Sequence, residues 1–324
     1  MARLAQVDGQ AVAWHPGPTG DAFQLDRWCR AVGPPILVPQ PGSPKSDAPP
    51  ALEDLVVVTW NAHLVEGRLP ELVRALRSGA LTGGAPVDHF VLLIQEAYRR
   101  GADVPPFPED GRAAFGIVPR DPHGPDAIAE AVSLGLAVWY VPSMRNGPEM
   151  PEDRGSAVVS TEPLSAPQAL ELPLARQRRV VAGATVAVRT RRGHERLQLW
   201  SAHLEPVSSP RTLWLFHNPR PAQVRAILSV LATQAVAGAA PSAGVVLGGD
   251  FNTIRNGDDE GAYALAREWS TSLAAEDGRR THLMGRLDYL FFRLAGSWQA
   301  QARRADDRYG SDHYPVAGQF LPSR

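Results

Sequence analysis

GVVLGGDFNT, Gly244 to Thr253, is the stretch from which the fold of this chain can be read. Val245, Val246 and Leu247 form a short all-apolar run, the pattern of a buried strand. Gly248 and Gly249 predict a tight backbone turn where that strand ends, which would deliver Asp250 and Asn252 to the rim of a sheet. A carboxylate and a carboxamide two residues apart on a rigid lip can hold a water or a phosphate oxygen between them. Asp, Asn and Gly are also the commonest turn formers, so on its own Asp-Phe-Asn-Thr reads equally as a plain turn.

Outward from Asp250, other apolar runs end in the same way. LVVVTWNAH carries Asn61, FVLLIQEAYR carries Glu96, LQLWSAHLEP carries His203, GRLDYLFF carries Asp288, and YGSDHYPV carries Asp312 and His313. One such coincidence means little. Repeated along the chain, always with metal- or proton-handling side chains and never a Cys, the pattern points to one composite site.

In the order TWNAH, QEAYR, SAHLEP, GGDFNT, GRLDY and GSDHYPV, the chain resembles the endonuclease/exonuclease/phosphatase superfamily. Its members include DNase I-like nucleases, abasic-site endonucleases, neutral sphingomyelinases and inositol polyphosphate phosphatases. The resemblance runs from roughly Leu55 to Phe320. It implies an α/β fold, a four-layer sandwich of two packed, mostly antiparallel β-sheets flanked by helices (DNase I-like). It also implies that Glu96 is the principal metal ligand, with Asn61 and Asp312 in or beside the same shell. The metal would polarise the scissile phosphate and stabilise the leaving oxygen.

The donor chemistry agrees with that assignment. A carboxylate after an apolar strand is costly unless partnered, and a carboxylate, carboxamide and water set suits Mg²⁺ or Mn²⁺ better than zinc, which prefers more His or Cys. Asp250 would orient or deprotonate the attacking water, and Asn252 would hold a phosphate oxygen. His313 needs a partner to fix its tautomer or keep it cationic, and Asp288 is the candidate. His203 stands where abasic-site endonucleases carry tyrosine, which places the chain nearer the DNase I, sphingomyelinase and phosphatase branches. The competing assignments are a surface ion pair of Glu96 with Arg99 and a structural one of Asp288 with Arg286.

The chain has 324 residues, 44% of them hydrophobic, enough for one large core with an appendage. Residues 1–50 are read as a Pro-rich N-terminal extension in which only Asp21 to Ala31 could be helical, and residues 51–324 as the catalytic domain. No apolar run is long enough for a membrane span, and the N-terminus lacks the apolar core of a signal peptide. Cytoplasmic placement is the default, with export if a signal precedes this sequence, and a monomer is expected. Cys29 is the only cysteine, so no intramolecular disulfide or cysteine-ligated metal can form. A net charge of −1 argues against a strong, sequence-blind grip on duplex nucleic acid, although Arg176, Arg178, Arg179, Arg191 and Arg192 could form a local basic stripe.

After the strand ending near Trp60, helical spacing of Leu69, Leu72, Val73 and Leu76 predicts a helix from Glu66 to Leu81. A strand follows over Phe90 to Ile94. Further helices are expected near Asp126 to Val132, from Pro221 to about Ala237, and near Gly261 to Ser270. The insertion from Pro206 to Pro221 directly follows His203, and its Trp214 or Phe216 would either stack on substrate or plug the core.

Phosphoester hydrolysis is what these residues imply. The tryptophan-cysteine-aspartate-arginine block that typifies inositol polyphosphate phosphatases is absent, since DGRRTHLMGRLDY stands there. A phosphodiesterase or nuclease is therefore favoured over a phosphatase or sphingomyelinase-like enzyme. A catalytically silent binding scaffold is the alternative of another class. The expected partner is a phosphoester substrate, nucleic acid among the candidates.

Overall fold

The computed structural model describes residues 3–7, 9–40, 48–64, 66–106, 126–148, 150–206, 218–237, 241–253 and 262–322. Most of the Pro206 to Pro221 insertion, Trp214 and Phe216 included, lies outside them. In chain order the strands begin with β1 (Arg3–Val7), β2 (Gln10–His15), β3 (Ile36–Val38), β4 (Leu55–Asn61) and β5 (His89–Arg100). Next come β6 (Ala137–Arg145), β7 (Glu152–Ser160), β8 (Ser165–Glu171), β9 (Val180–Thr190) and β10 (Gly193–His203). The last are β11 (Ser242–Asp250), β12 (Leu273–Glu276), β13 (Asp288–Leu294), β14 (Trp298–Arg304) and β15 (Val316–Pro322). The α-helices are α1 (Ala22–Arg30), α2 (Leu69–Arg77), α3 (Ala127–Ser133), α4 (Arg220–Ala237) and α5 (Ala262–Trp269).

The strands form a seven-stranded sheet, β1-β2-β8-β9-β10-β11-β13, and an eight-stranded sheet, β12-β14-β15-β4-β5-β7-β6-β3. Most neighbours are antiparallel. Each sheet also holds an interior parallel pair, β10 with β11 in one and β4 with β5 in the other. The two parallel pairs face each other across the sandwich. Val57, Leu93 and Val158 from one sheet and Leu199, Val246 and Leu290 from the other meet in the middle layer. Helices α2 and α3 cover the outer face of the larger sheet through Leu72, Val73, Leu76 and Ile128. Helices α4 and α5 cover the smaller one through Val224, Ile227, Leu231 and Ala266. Four layers, α-β-β-α, are therefore built from ordinary period-2 and period-3.6 burial.

Helix α2 is shorter than its apolar spacing predicts. Pro70 occupies its first turn, and Gly79 just beyond it, at φ 79°, takes the left-handed conformation that ends a helix. Helix α3 begins where Asp126 accepts hydrogen bonds from the Ile128 and Ala129 backbone amides. In the first forty residues α1 forms as expected, while β1 and β2 extend the edge of one sheet and β3 the edge of the other. No helix among the described residues is long and apolar enough to cross a membrane.

The Gly248-Gly249 pair does not make a turn. Strand β11 continues through both residues to Asp250. Their absence of side chains serves close approach instead: a Cβ on Gly248 would meet Leu290 Cδ2 at 2.6 Å and Leu93 Cδ1 at 2.8 Å, and one on Gly249 would meet the Ala202 carbonyl oxygen at 1.9 Å. The first contact sets how tightly the sheets pack beneath the site, and the second how tightly β10 and β11 lie together. Gly248→Val should therefore overpack this seam and destabilise the protein by roughly 1–3 kcal/mol in a urea melt. An unchanged melt would mean that the sheets do not pack this closely.

Candidate active site

Parallel pairing places chain ends of the same sense side by side. His203 is in register with Asp250 across β10 and β11, and Asp250 with Asp288 across β11 and β13, so the three form one row at the rim of the smaller sheet. Asp250 is 2% exposed and Asp288 fully buried. Two carboxylates directly opposite each other on neighbouring strands repel unless something intervenes. Here His313 lies between them. Its Nδ1 is 2.8 Å from Asp288 Oδ2 and its Nε2 is 3.9 Å from Asp250 Oδ2.

The larger sheet closes the site from above. Asn61, the last residue of β4, donates from Nδ2 to Asp250 Oδ2 at 3.0 Å and accepts the His63 backbone amide at 3.0 Å. Ser311 donates to the Asn61 carbonyl and accepts from the His313 backbone amide, which fixes the SDH segment against β4. Below, Asp250 Oδ1 accepts the Asn252 backbone amide at 2.8 Å, and Asn252 Nδ2 donates to the Leu204 carbonyl. Asp250 is thus a hub reached from both sheets.

Glu96 is placed by a different device. Its strand does not stop there; β5 runs on to Arg100, and its pairing with β7 skips from Ile94 to Ala97. The skipped residues form a bulge, and Glu96 takes φ 50°, a conformation uncommon for a residue with a side chain. A bulge of this kind re-aims a side chain, here toward the cleft. Among the described non-glycine residues with positive φ, His63, Glu96 and Asn252 belong to the site, while Leu64, Ala166 and Tyr309 do not.

Neither competing ion pair forms. Arg99 is bound to Asp153, and Arg286 to Glu276. Among the described residues the one ion pair of Glu96 is with Arg154, at 3.7 Å, longer than a hydrogen bond. The expected stripe is not formed either, because Arg178 is buried against Glu171, Arg179 is also buried, and Arg192 pairs with Glu195.

The charge states follow from the surroundings. Burial alone would lower the pKa of His313, but the carboxylates of Asp288, Asp250 and Asp312 outweigh it and push it up to about 10, so this ring is a cation. Burial, then the charges of Arg179, Arg154 and His313, hold His203 well below the usual histidine range. The 3.5 Å approach of His203 Nε2 to Asp250 is accordingly between a neutral ring and a carboxylate. Burial and the Asp288 charge push Asp250 up to about 6 against the lowering influence of His313 and Asn61. Two imidazoles of the same kind are therefore held in different states by their environments.

Asp312 sits among three imidazoles. His63 Nδ1 is 3.1 Å from its Oδ1, His282 Nε2 is 3.2 Å from its Oδ2, and His313 Nε2 is 3.7 Å away. Burial would raise Asp312, but hydrogen bonds from His282 and His63 and the His313 charge hold it well below the carboxylate range. His63 lies in TWNAH and His282 in DGRRTHLMGRLDY, but nothing in their spacing shows that both reach Asp312. Arg154 and Gln95 were missed for the same reason. Gln95 donates to Ser201 Oγ at 3.1 Å, tying the sheets together behind the site.

The structure thus brings Asn61, His203, Asp250, Asp288 and His313 into direct contact, with Asn252 joined through its backbone. Asp312 borders them through His313, and Glu96 is connected through the cleft wall it shares with His203. The donor chemistry fits a hard divalent ion. Glu96 and Asp312 present partly exposed carboxylates at the rim, and Asp288 Oδ1 is buried with no hydrogen-bond partner among the described residues.

The model of the Endonuclease/Exonuclease/phosphatase family matches residues 58–313, a span containing every residue of this constellation. The chain belongs to that family. Membership gives it the hydrolase class of the family, whose members are generally dependent on a divalent metal. Among solved structures it is similar to an endonuclease/exonuclease/phosphatase family protein from Leptotrichia buccalis C-1013-b, with a TM-score of 0.51, 15% identity and coverage of 82% of this chain and 99% of that one. It is also similar to ANGEL2, described as a 2′,3′-cyclic phosphatase, with a TM-score of 0.51, 12% identity and coverage of 82% and 94%. At these identities the likeness establishes the DNase I-like fold alone. No curated protein matches the chain.

The His313 charge has a measurable consequence. Its folded pKa, about 10, lies above the unfolded value of 6.5, so its stabilisation is fully present below 6.5 and is lost as pH rises through 10. Asp250 is ionised in both states over most of that window and does not mask the effect. In EDTA the wild type should lose stability between pH 7 and 10.5, and His313→Gln should start lower and stay nearly flat. Parallel pH curves for the two proteins would refute a cationic His313.

Proposed function

We propose that the chain is a divalent-metal-dependent phosphodiesterase, with residues 51–324 as its catalytic domain and residues 1–50 as an extension of it. The observation that carries the assignment is the Asp250 carboxylate, approached by Asn61 at 3.0 Å, the Asn252 amide at 2.8 Å, His203 at 3.5 Å and His313 at 3.9 Å. These groups differ in charge state, and they surround a carboxylate whose raised pKa suits it to take a proton near neutrality.

In this mechanism Asp250 orients a water for in-line attack on phosphorus and receives its proton. The bond from phosphorus to the leaving oxygen breaks opposite. His313, fixed as a cation by Asp288, faces the charge that develops on the phosphoryl oxygens, and neutral His203 supplies a hydrogen bond to one of them. Asn252 holds a further phosphate oxygen, and Asn61 keeps Asp250 in position. Bound by Glu96 and Asp312 with Asn61 beside them, Mg²⁺ or Mn²⁺ would polarise the phosphoester and offset charge on the leaving oxygen.

A phosphatase or sphingomyelinase-like activity would use the same groups, and a silent scaffold would retain them without turnover. A panel of bis-p-nitrophenyl phosphate, p-nitrophenyl phosphate, single-stranded DNA, RNA and sphingomyelin, assayed with Mg²⁺, Mn²⁺ or EDTA, separates these. Turnover of the diester with metal and none in EDTA is expected. Asp250→Asn should lower kcat by about 10²–10⁴-fold without loss of fold. Full turnover by that variant would end the mechanism.

Acidity provides an independent check. Because Asp250 must be ionised to act as base and is raised to about 6, kcat/KM should fall as pH drops through about 6. A flat profile from pH 5 to 8 would exclude Asp250 as the base.

A further inference from the structure

The turn from Thr281 to Gly285 carries a ring that the mechanism leaves without a task. Its backbone is held on every side. The Thr281 and His282 amides both donate to the Gly285 carbonyl, and the Gly285 amide donates back to the His282 carbonyl. Thr281 Oγ1 accepts the Leu287 and Asp288 amides at 2.9 and 3.1 Å, and the Tyr314 amide donates to the Thr281 carbonyl at 2.8 Å. One residue thereby ties the start of β13 to the SDH segment. At the tip of the turn Leu283 and Met284 are 80% and 52% exposed, while the His282 side chain turns inward and is only 15% exposed.

Both nitrogens of the His282 ring are committed. Nδ1 accepts the Met284 amide at 3.1 Å, a role open only to an unprotonated nitrogen, so the proton is on Nε2 and the ring is neutral. Nε2 stands 3.2 Å from Asp312 Oδ2 and donates to it. The same ring lies against His313, with centroids 4.6 Å apart and planes 33° from parallel. Two cationic rings that close would repel, and a neutral one beside the His313 cation avoids this. The other oxygen of Asp312 is left differently. Oδ1 is buried with no well-aligned donor, because His63 Nδ1, 3.1 Å away, lies off the line of a good hydrogen bond.

A neutral donor treats a carboxylate unlike a guanidinium. Asp153 and Glu171 are bound by Arg99 and Arg178, whose charges cancel theirs. An imidazole N–H fixes the rotation of the carboxylate and adds no positive charge against which a metal ion must compete. We infer that His282 is a positioning residue of the metal centre: its Nε2–H holds Asp312 by Oδ2 and presents Oδ1 to the divalent ion, while the ring touches neither ion nor substrate. The inference rests on the assignment of Asp312 as a metal ligand. With Nδ1 engaged by a backbone amide and Nε2 carrying the proton, the ring has no lone pair free to be a ligand itself. Through Thr281 the same turn holds the Asp288 backbone, so one frame sets both the metal-binding carboxylate and the carboxylate that fixes His313.

Two substitutions separate the donor from the ring. His282→Phe keeps a ring against His313 and removes the donor, whereas His282→Gln loses the ring and returns an amide N–H near the place of Nε2. Mn²⁺ binding is read by calorimetry without substrate, with Asp312→Ala as the reference for a lost ligand and melting in EDTA as the check of fold. His282→Phe should bind Mn²⁺ about 10–100-fold more weakly than wild type, and His282→Gln within about threefold of it. A role in packing alone predicts the opposite order, since Phe fills the space better. Equal affinity of His282→Phe and wild type, or weaker binding by His282→Gln than by His282→Phe, would overturn the inference.

Two further readouts do not depend on the Gln variant folding. In metal-free wild type, ¹⁵N NMR of the imidazoles, assigned by the signals lost in His282→Phe, should show the His282 proton on Nε2; a proton on Nδ1 would overturn the inference. With bis-p-nitrophenyl phosphate, His282→Phe should need about 10–100-fold more Mn²⁺ for half-maximal activity and recover kcat near the wild-type value at saturating Mn²⁺. A kcat that stays low there would mean that His282 acts other than through Asp312, which also overturns it. Mn²⁺ affinity unchanged in Asp312→Ala would remove Asp312 as a ligand and this inference with it. A weakened Asp312→Ala beside an unaffected His282→Phe would remove the inference and leave the metal assignment standing.

Discussion

Two buried carboxylates, Asp250 and Asp288, face each other in register on adjacent strands, and the rest of the site is arranged around their repulsion. A cation must stand between them, which His313 supplies, and an amide must satisfy the Asp250 oxygen that the cation approaches only to 3.9 Å, which Asn61 supplies. Both partners come from the other side of the sandwich or from the loop pinned to it. The groups that would perform chemistry are therefore also the polar clasp between two sheets otherwise joined by apolar packing. Disturbing one has consequences for both stability and charge state.

This clasp needs the sheets to be close and their central strands to end together. Gly248 permits the first, because no side chain separates β11 from Leu93 and Leu290. The two parallel pairs provide the second, by placing the ends of β4, β10 and β11 at one edge. Glu96 cannot be delivered by a strand end, since β5 continues past it, and a bulge turns it toward the cleft instead. Regular elements set the position of most groups, and local strain sets the rest.

A chain of almost zero net charge can still receive a strongly anionic group, because the relevant charge is local. His313 is held cationic by three carboxylates, and Arg154 is buried beside Glu96 at the cleft wall. Electrostatic attraction in a low-dielectric recess acts over a few ångströms and needs no basic surface. The overall composition therefore bears on nonspecific attachment to nucleic acid and says little about phosphate recognition inside the cleft.

The sequence by itself determined the layers and the family. Apolar alternation and helical spacing located most strands and helices, and the order of the blocks from TWNAH to GSDHYPV marked the residues that gather at the rim. It could not decide which charges meet. Arg99 and Arg286 lie near Glu96 and Asp288 along the chain, yet their partners are Asp153 and Glu276, while Glu96 faces Arg154 and Asp288 faces His313. Nor could it tell the glycines of a turn from those of a tight seam, or a strand end from a bulge. Those outcomes depend on register and on the distance between sheets, which are set by packing among residues far apart in the chain. Local pattern records which face a side chain takes; only the assembled sheets fix what stands opposite it.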